Sequence, residues 1–246
     1  MKYFLSAFIV LFISQVQAQT DAISTNKGEI KISPVTHGSI VLEFGQKTVY
    51  IDPYGGPEGY KDKPKPDLIL ITDIHGDHLD QKTLKALSIE NSEFMVPQAV
   101  KEMMNEVKPK KISTLKNGEK TNWEYLTIEA LPMYNLPESA DSRHIKGRGN
   151  GYLITYGNKR IYISGDTEDI PEMRNLKNID VAFVCMNEPY TMDVEQAADA
   201  VLAFKPKIIY PYHYQGAGGL SDVSKFKSMV ESKNKNIEVR LRQWYP

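Results

Sequence analysis

Leu68-Ile69-Leu70-Ile71-Thr72-Asp73-Ile74-His75-Gly76-Asp77-His78-Leu79-Asp80 joins four apolar residues to a run of hard metal-ligand types. A short continuous apolar run suits a strand covered on both faces. The polar run then falls at the strand's carboxyl end, where open α/β sheets place their ligands. Asp73, His75, Asp77 and His78 are candidate ligands, because imidazole and carboxylate hold zinc or manganese. A turn at Gly76 can fold so short a run until several of these side chains converge. The plainer reading is a helix-capping turn with solvated histidines. Asp80, ahead of a helical pattern over 81–87, does suit an N-cap. Capping leaves two histidines beside two aspartates unexplained.

Two further apolar runs end the same way. Ile161-Tyr162-Ile163-Ser164-Gly165-Asp166-Thr167 places Asp166 after a strand, and Ile208-Ile209-Tyr210-Pro211-Tyr212-His213 does so for His213. Each alone reads as an ordinary turn or loop residue. Together the three strand ends point to one cation site. Strand patterns also cover residues 39–44, 48–51, 94–96, 125–130, 152–156, 181–185 and 237–241, and helical patterns cover 98–105, 194–204 and 222–230. Gly45-Gln46-Lys47 and Gly157-Asn158 read as hairpin turns. Residues 54–66, rich in Gly, Pro and Lys, read as a surface loop. Residues 131–150 form a loop long enough to be functional or mobile. Hairpins mixed with strand–helix alternation predict an α/β fold of two mixed sheets with helices outside, as one domain over 19–246.

The 246-residue chain carries 30 basic and 31 acidic side chains, and 41% of its residues are hydrophobic. That composition excludes general disorder, and its near-neutral charge speaks against broad capture of nucleic acid. The single cysteine, Cys185, excludes an intramolecular disulfide framework and sits in a strand-like run, where packing is its default role. Neither a Gly-x-Ser-x-Gly elbow nor a phosphate loop occurs. Residues 1–18 read as a secretory signal peptide: Lys2, an apolar segment over 4–13, then Val16-Gln17-Ala18. The apolar segment is shorter than the ~20 residues of a spanning helix. The expectation is a secreted protein, periplasmic if its source is Gram-negative, with no stable membrane insertion.

The residues quoted above resemble the metallo-β-lactamase superfamily, whose hallmark is a His-x-His-x-Asp-His run after a buried strand, completed by a Gly-Asp and a late His. The nearest likeness is to its ascorbate-6-phosphate-lactonase-like branch of metal-dependent hydrolases. Thr36-His37-Gly38-Ser39, Ile51-Asp52-Pro53, Asp73-Ile74-His75-Gly76-Asp77-His78, Gly165-Asp166-Thr167 and Tyr210-Pro211-Tyr212-His213 carry it, in the family's order. The resemblance implies a four-layer αββα sandwich with the site along one sheet edge. It implies one or two divalent ions, zinc or manganese: His75 holds the first, Asp77, His78 and His213 hold the second, and Asp166 bridges both. Two positions depart from the pattern. Asp73 stands where the first histidine is usual, and Asn135 where a further ligand histidine is common. An oxygen donor at Asp73 favours a harder ion such as manganese. His144, from the long loop, is a candidate replacement. A single ion at Asp77, His78 and His213 is an alternative.

The chemistry implied is hydrolysis. A divalent ion lowers the pKa of bound water enough to supply hydroxide near neutral pH. Asp77 would orient that hydroxide and accept its proton. The expected bond is an ester, lactone or phosphodiester of a small molecule. Arg143, His144, Lys146 and Arg148 make the long loop locally positive, suited to an anionic substrate group; a solvated loop is the rival. His37 and Asn135 are further candidate substrate contacts, and Glu188 and Tyr190 candidate cleft residues. Tyr212 and Tyr214 read as packing, and Asp193 with Gln196 as a capping box. The competing function is an inactive member of the fold that binds a ligand, with Asp73 and Asn135 recording a lost site. Oligomeric state is open.

Overall fold

A computed structural model describes residues Thr20 to Tyr245; the signal-peptide reading of residues 1–18 lies outside them. Seven strands lie side by side in chain order: β1 (Asp21–Thr25), β2 (Gly28–Pro34), β3 (Ile40–Phe44), β4 (Lys47–Ile51), β5 (Leu68–Leu70), β6 (Glu93–Val96) and β7 (Lys111–Thr114). Neighbours from β1 to β4 are antiparallel, and those from β4 to β7 are parallel. The second sheet repeats this pairing. Its strands are β8 (Lys120–Trp123), β9 (Leu126–Leu131), β10 (Gly151–Tyr156), β11 (Lys159–Ile163), β12 (Val181–Cys185), β13 (Ile208–Tyr212) and, after a separate hairpin of β14 (Gln215–Gly216) and β15 (Gly219–Leu220), β16 (Glu238–Val239). It is antiparallel through β11 and parallel beyond.

Period-two alternation sorts the first sheet's side chains into two cores. Ile40, Leu42, Phe44, Leu68 and Leu70 face the second sheet. Val41, Ile69 and Ile71 face outward, beneath α1 (Gln81–Ala86) and α2 (Gln98–Met103), which contribute Leu84 and Val100. Helices α3 (Pro171–Arg174), α4 (Val194–Phe204) and α5 (Val223–Lys233) cover the second sheet. Ala197, Val201 and Phe204 of α4 are buried at i, i+4 and i+7, one face of a helix. The order of layers is therefore helix, sheet, sheet, helix. The Asp193 and Gln196 capping box starts α4, and Asp80 caps α1 by accepting from the N–H groups of Lys82 and Thr83. Each such cap stabilises by about 1 kcal/mol.

Departures from the sequence reading have local causes. β1 was not expected, because it buries only Ile23 of five residues and its polar face hides the alternation. The weakly buried strands β7 and β8 escaped for the same reason. α2 ends at Met103, and Asp222 caps α5 rather than lying within it. The strand ahead of His213 runs unbroken from Ile208 to Tyr212, which is fully buried. The loop over 54–66 contains a 3-10 turn at Pro57–Tyr60 whose Tyr60 is buried. Among the described residues no helix is long and apolar enough to cross a membrane.

Candidate metal centre

Parallel strands of both sheets end at one place. Asp73, His75, Asp77 and His78 follow β5, in a turn closed by the N–H groups of His78 and Leu79 donating to the His75 carbonyl at 3.0 and 2.8 Å. Asp166 follows β11 through Gly165, whose φ of 62° is open to glycine at little cost. A Cβ at Gly165 would meet the Met133 sulfur at 2.7 Å, so the approach also needs the missing side chain. His213 follows β13, and its N–H donates to the carbonyl of His37, 3.1 Å away.

Asp166 is the hub. Its Oδ2 lies 3.4 Å from His78 Nε2 and 3.3 Å from His144 Nε2, and its Oδ1 lies 3.4 Å from His213 Nε2. Asn187, at the end of β12, donates to Asp166 Oδ2 at 3.3 Å. Three groups each have ligand-type atoms within 4.8 Å of one another: Asp73, His75 and His144; His78, Asp166 and His213; and His37, Asp77 and His213, the last two sharing His213. His144 therefore does enter from the long loop, fully buried, with its ring 5.2 Å from that of His75. Asp73 stands between them, in contact with His75 Nδ1 and 3.9 Å from His144 Nε2.

Burial disfavours charge here, and charge is present nonetheless. Burial pushes the Asp166 carboxyl up, but the imidazoles of His213 and His78 outweigh it and hold it well below the usual carboxylate range. Asp77 is held low likewise, burial being outweighed by His213 and His37. The His78 ring, which burial would depress, is raised well above its ordinary value by Asp166 and Asp52. Oδ1 of Asp166, both ring nitrogens of His144 and Nδ1 of His213 are buried with no hydrogen-bond partner, and the buried oxygens of Asp73 meet only His75 Nδ1 and Arg148 Nε. Buried polar atoms rarely go unpaired. The Asp73 and Asp166 oxygens converge with the Nε2 atoms of His144, His78 and His213, and such a set of oxygen and nitrogen donors fits a divalent cation.

The other expected residues fall into separate places. His37 lies beside Asp77, with Nε2 3.1 Å from Asp77 Oδ2. Arg143 stacks on the Tyr190 ring at 4.5 Å and lines a cavity of about 310 Å³ with His37, Asp77, Asp166 and His213. Arg148 is turned away from that cavity: its Nε is 3.5 Å from Asp73 Oδ1, and its terminal nitrogen donates to the Arg143 carbonyl. Lys146 is engaged by Glu138 and Glu172. Asn135, expected to contact substrate, has its amide committed elsewhere. It donates to Glu168 and to the Tyr190 carbonyl, and accepts the His144 N–H at 2.8 Å. It fastens the loop that delivers His144. The Cys185 thiol is buried and pushed up to about 12, consistent with packing.

Sequence reasoning gave no role to Asp52, which is fully buried. Its Oδ2 faces His78 Nδ1 at 2.8 Å, and Thr72 donates to it from both N–H and hydroxyl. Carboxylate support behind a ligating histidine fixes its tautomer and orientation. The signal was present in Ile51-Asp52-Pro53, another strand end. Tyr245 was also missed; its hydroxyl lies 3.0 Å from His37 Nδ1, across 208 residues of chain.

The fold and much of the sequence are shared with known proteins. A family described as the beta-lactamase superfamily domain matches residues 31–213. A UPF0173 metal-dependent hydrolase of Desulforamulus reducens is 31% identical over 214 residues, which cover 82% of this chain and 92% of that relative. A crystal structure from Parabacteroides distasonis, assigned as a metal-dependent hydrolase, is 40% identical with a TM-score of 0.81, covering 93% of this chain and 100% of its own. Igni18, a metallo hydrolase of Ignicoccus hospitalis, shares the fold at a TM-score of 0.73 and 24% identity, covering 88% of this chain and 96% of its own. The chain belongs to the UPF0173 metal-dependent hydrolases of the metallo-β-lactamase superfamily.

Proposed function

We propose that this protein hydrolyses an ester, lactone or phosphodiester bond in a small anionic molecule, using one or two zinc or manganese ions. The observation that supports it most is the buried set of unpaired ligand atoms around Asp166. Asp73, His75 and His144 would hold one ion, Asp77, His78 and His213 the other, with Asp166 between them. A bound divalent ion supplies Lewis acidity and makes water a nucleophile near neutral pH. Asp77 borders the cavity and is the group to orient the attacking water and take its proton. Asn187 and Asp52 hold Asp166 and His78 in place. Arg143 alone of the loop's basic residues lines the cavity, so it is the group to receive a carboxylate or phosphate on the substrate. The lactonase-like branch and secretion, to the periplasm if the source is Gram-negative, belong to the same proposal.

Elemental analysis of untagged protein, with turnover assays on ester, lactone and phosphodiester panels, tests it. Stoichiometric divalent metal and chelator-sensitive turnover of an anionic panel member are expected. Less than one ion per chain with no turnover would overturn it in favour of a ligand-binding protein.

A further inference from the structure

Distance alone would make His37 a metal ligand, since it shares a 4.8 Å cluster with Asp77 and His213. The hydrogen bonds on its two sides say otherwise. An ionised carboxylate only accepts. The 3.1 Å contact from His37 Nε2 to Asp77 Oδ2 therefore requires the ring to carry its proton on Nε2. Nδ1 of the neutral ring is then an acceptor. Its partner is the Tyr245 hydroxyl at 3.0 Å, which itself receives the Gln215 N–H at 3.2 Å. Every donor meets an acceptor along this line, and the nitrogen facing Asp77 has no lone pair to offer a cation.

We infer that His37 is a positioning residue and not a ligand, held by Tyr245 so that it aims Asp77 at the centre; this rests on Asp77 being a ligand there. The backbone is built to the same end. His37 sits at φ 55°, its N–H donates to the Trp244 carbonyl at 3.2 Å, and its carbonyl receives the His213 N–H. The Tyr245 ring packs edge-on to Tyr214, with centroids 4.8 Å apart. Trp244 and Tyr245 thus set the backbone and the ring of His37 together.

Co²⁺ titration of the full chain, followed by visible absorption, tests this in H37A, H37Q and Y245F. At saturation H37A should keep the wild-type band position, because no ligand is lost, while its Co²⁺ affinity falls about 10–100-fold, as for outer-shell partners. H37Q, whose side-chain amide can donate to Asp77, should bind within about threefold of wild type. Y245F should weaken binding roughly tenfold with an unshifted band. A shifted band in H37A, or H37Q binding as poorly as H37A, overturns the inference and leaves the metal-centre reading standing. Wild-type protein that takes up no Co²⁺ overturns both.

Discussion

Replacing Asp52 by Asn exchanges one oxygen for an amide nitrogen at a fully buried position. In the native site Asp52 Oδ1 accepts the Thr72 N–H at 2.7 Å, and Oδ2 faces His78 Nδ1 at 2.8 Å. When the centre holds a cation, the carboxylate keeps the imidazole proton on Nδ1 and leaves the Nε2 lone pair toward Asp166 and His213. In the variant, the Thr72 N–H holds the amide oxygen where Oδ1 was. The amide NH₂ then falls opposite His78 Nδ1, and two donors meet. Leaving them so costs about 1–3 kcal/mol for a buried unsatisfied group. The ring can escape by moving its proton to Nε2, which withdraws the lone pair from the cluster. Either route weakens cation binding by roughly 5- to 150-fold, since about 1.4 kcal/mol is a factor of ten. Competition between the protein and a chelating dye for Zn²⁺ at pH 7 measures it, with circular dichroism confirming the fold. Native affinity and stoichiometry in Asp52→Asn would refute the reasoning.

Asp166→Asn should lower turnover by more than the ~100-fold of outer-shell losses while the fold survives; wild-type turnover would exclude Asp166 from the centre. Arg143→Ala should raise KM for an anionic substrate about 10–100-fold, the worth of a charge-assisted hydrogen bond, with kcat and the KM of a neutral analogue little changed. Metal held at 100 times Kd should stabilise the folded chain by about 2.7 kcal/mol, so chelation should lower Tm by roughly 5–11 °C in a thermal melt. Chelated protein should also lose stability as pH rises above about 6.5. His78 is raised when folded, so the folded state binds more protons than the unfolded one from there up to its folded pKa. A chelated protein whose melting temperature rises over that range would contradict the charge assigned to His78.

Sequence carried the centre further than it carried the frame. The run Asp73 to His78 was legible because its ligand types are crowded and follow a strongly apolar strand. Asp166 and His213 were legible because each closes such a strand. Asp52 also closes a strand, but a carboxylate that supports a histidine from behind looks in sequence like any turn aspartate, and Tyr245 has no local signal; only folding brings them against His78 and His37. Asn135 was read as facing substrate on the strength of its position. Its amide instead ties residues 135 and 144 together, a role visible only once the loop's path is known. The edge strand β1 was lost because edges carry polar residues on the face that stays wet.

The repeated pairing of the two sheets has a consequence for assembly. One half of the polypeptide supplies Asp73, His75, Asp77 and His78; the other supplies His144, Asp166 and His213. Neither half owns a complete coordination set, so a captured ion adds a clasp between two layers otherwise joined by apolar contact and by hydrogen bonds such as Asn150 N–H to the Thr72 carbonyl and the Tyr152 hydroxyl to the Ile71 carbonyl. Its uptake would report late in folding, after the layers have docked. Its release should first loosen the seam between them, raising amide exchange around Thr72 and Asn150 before the sheet interiors open.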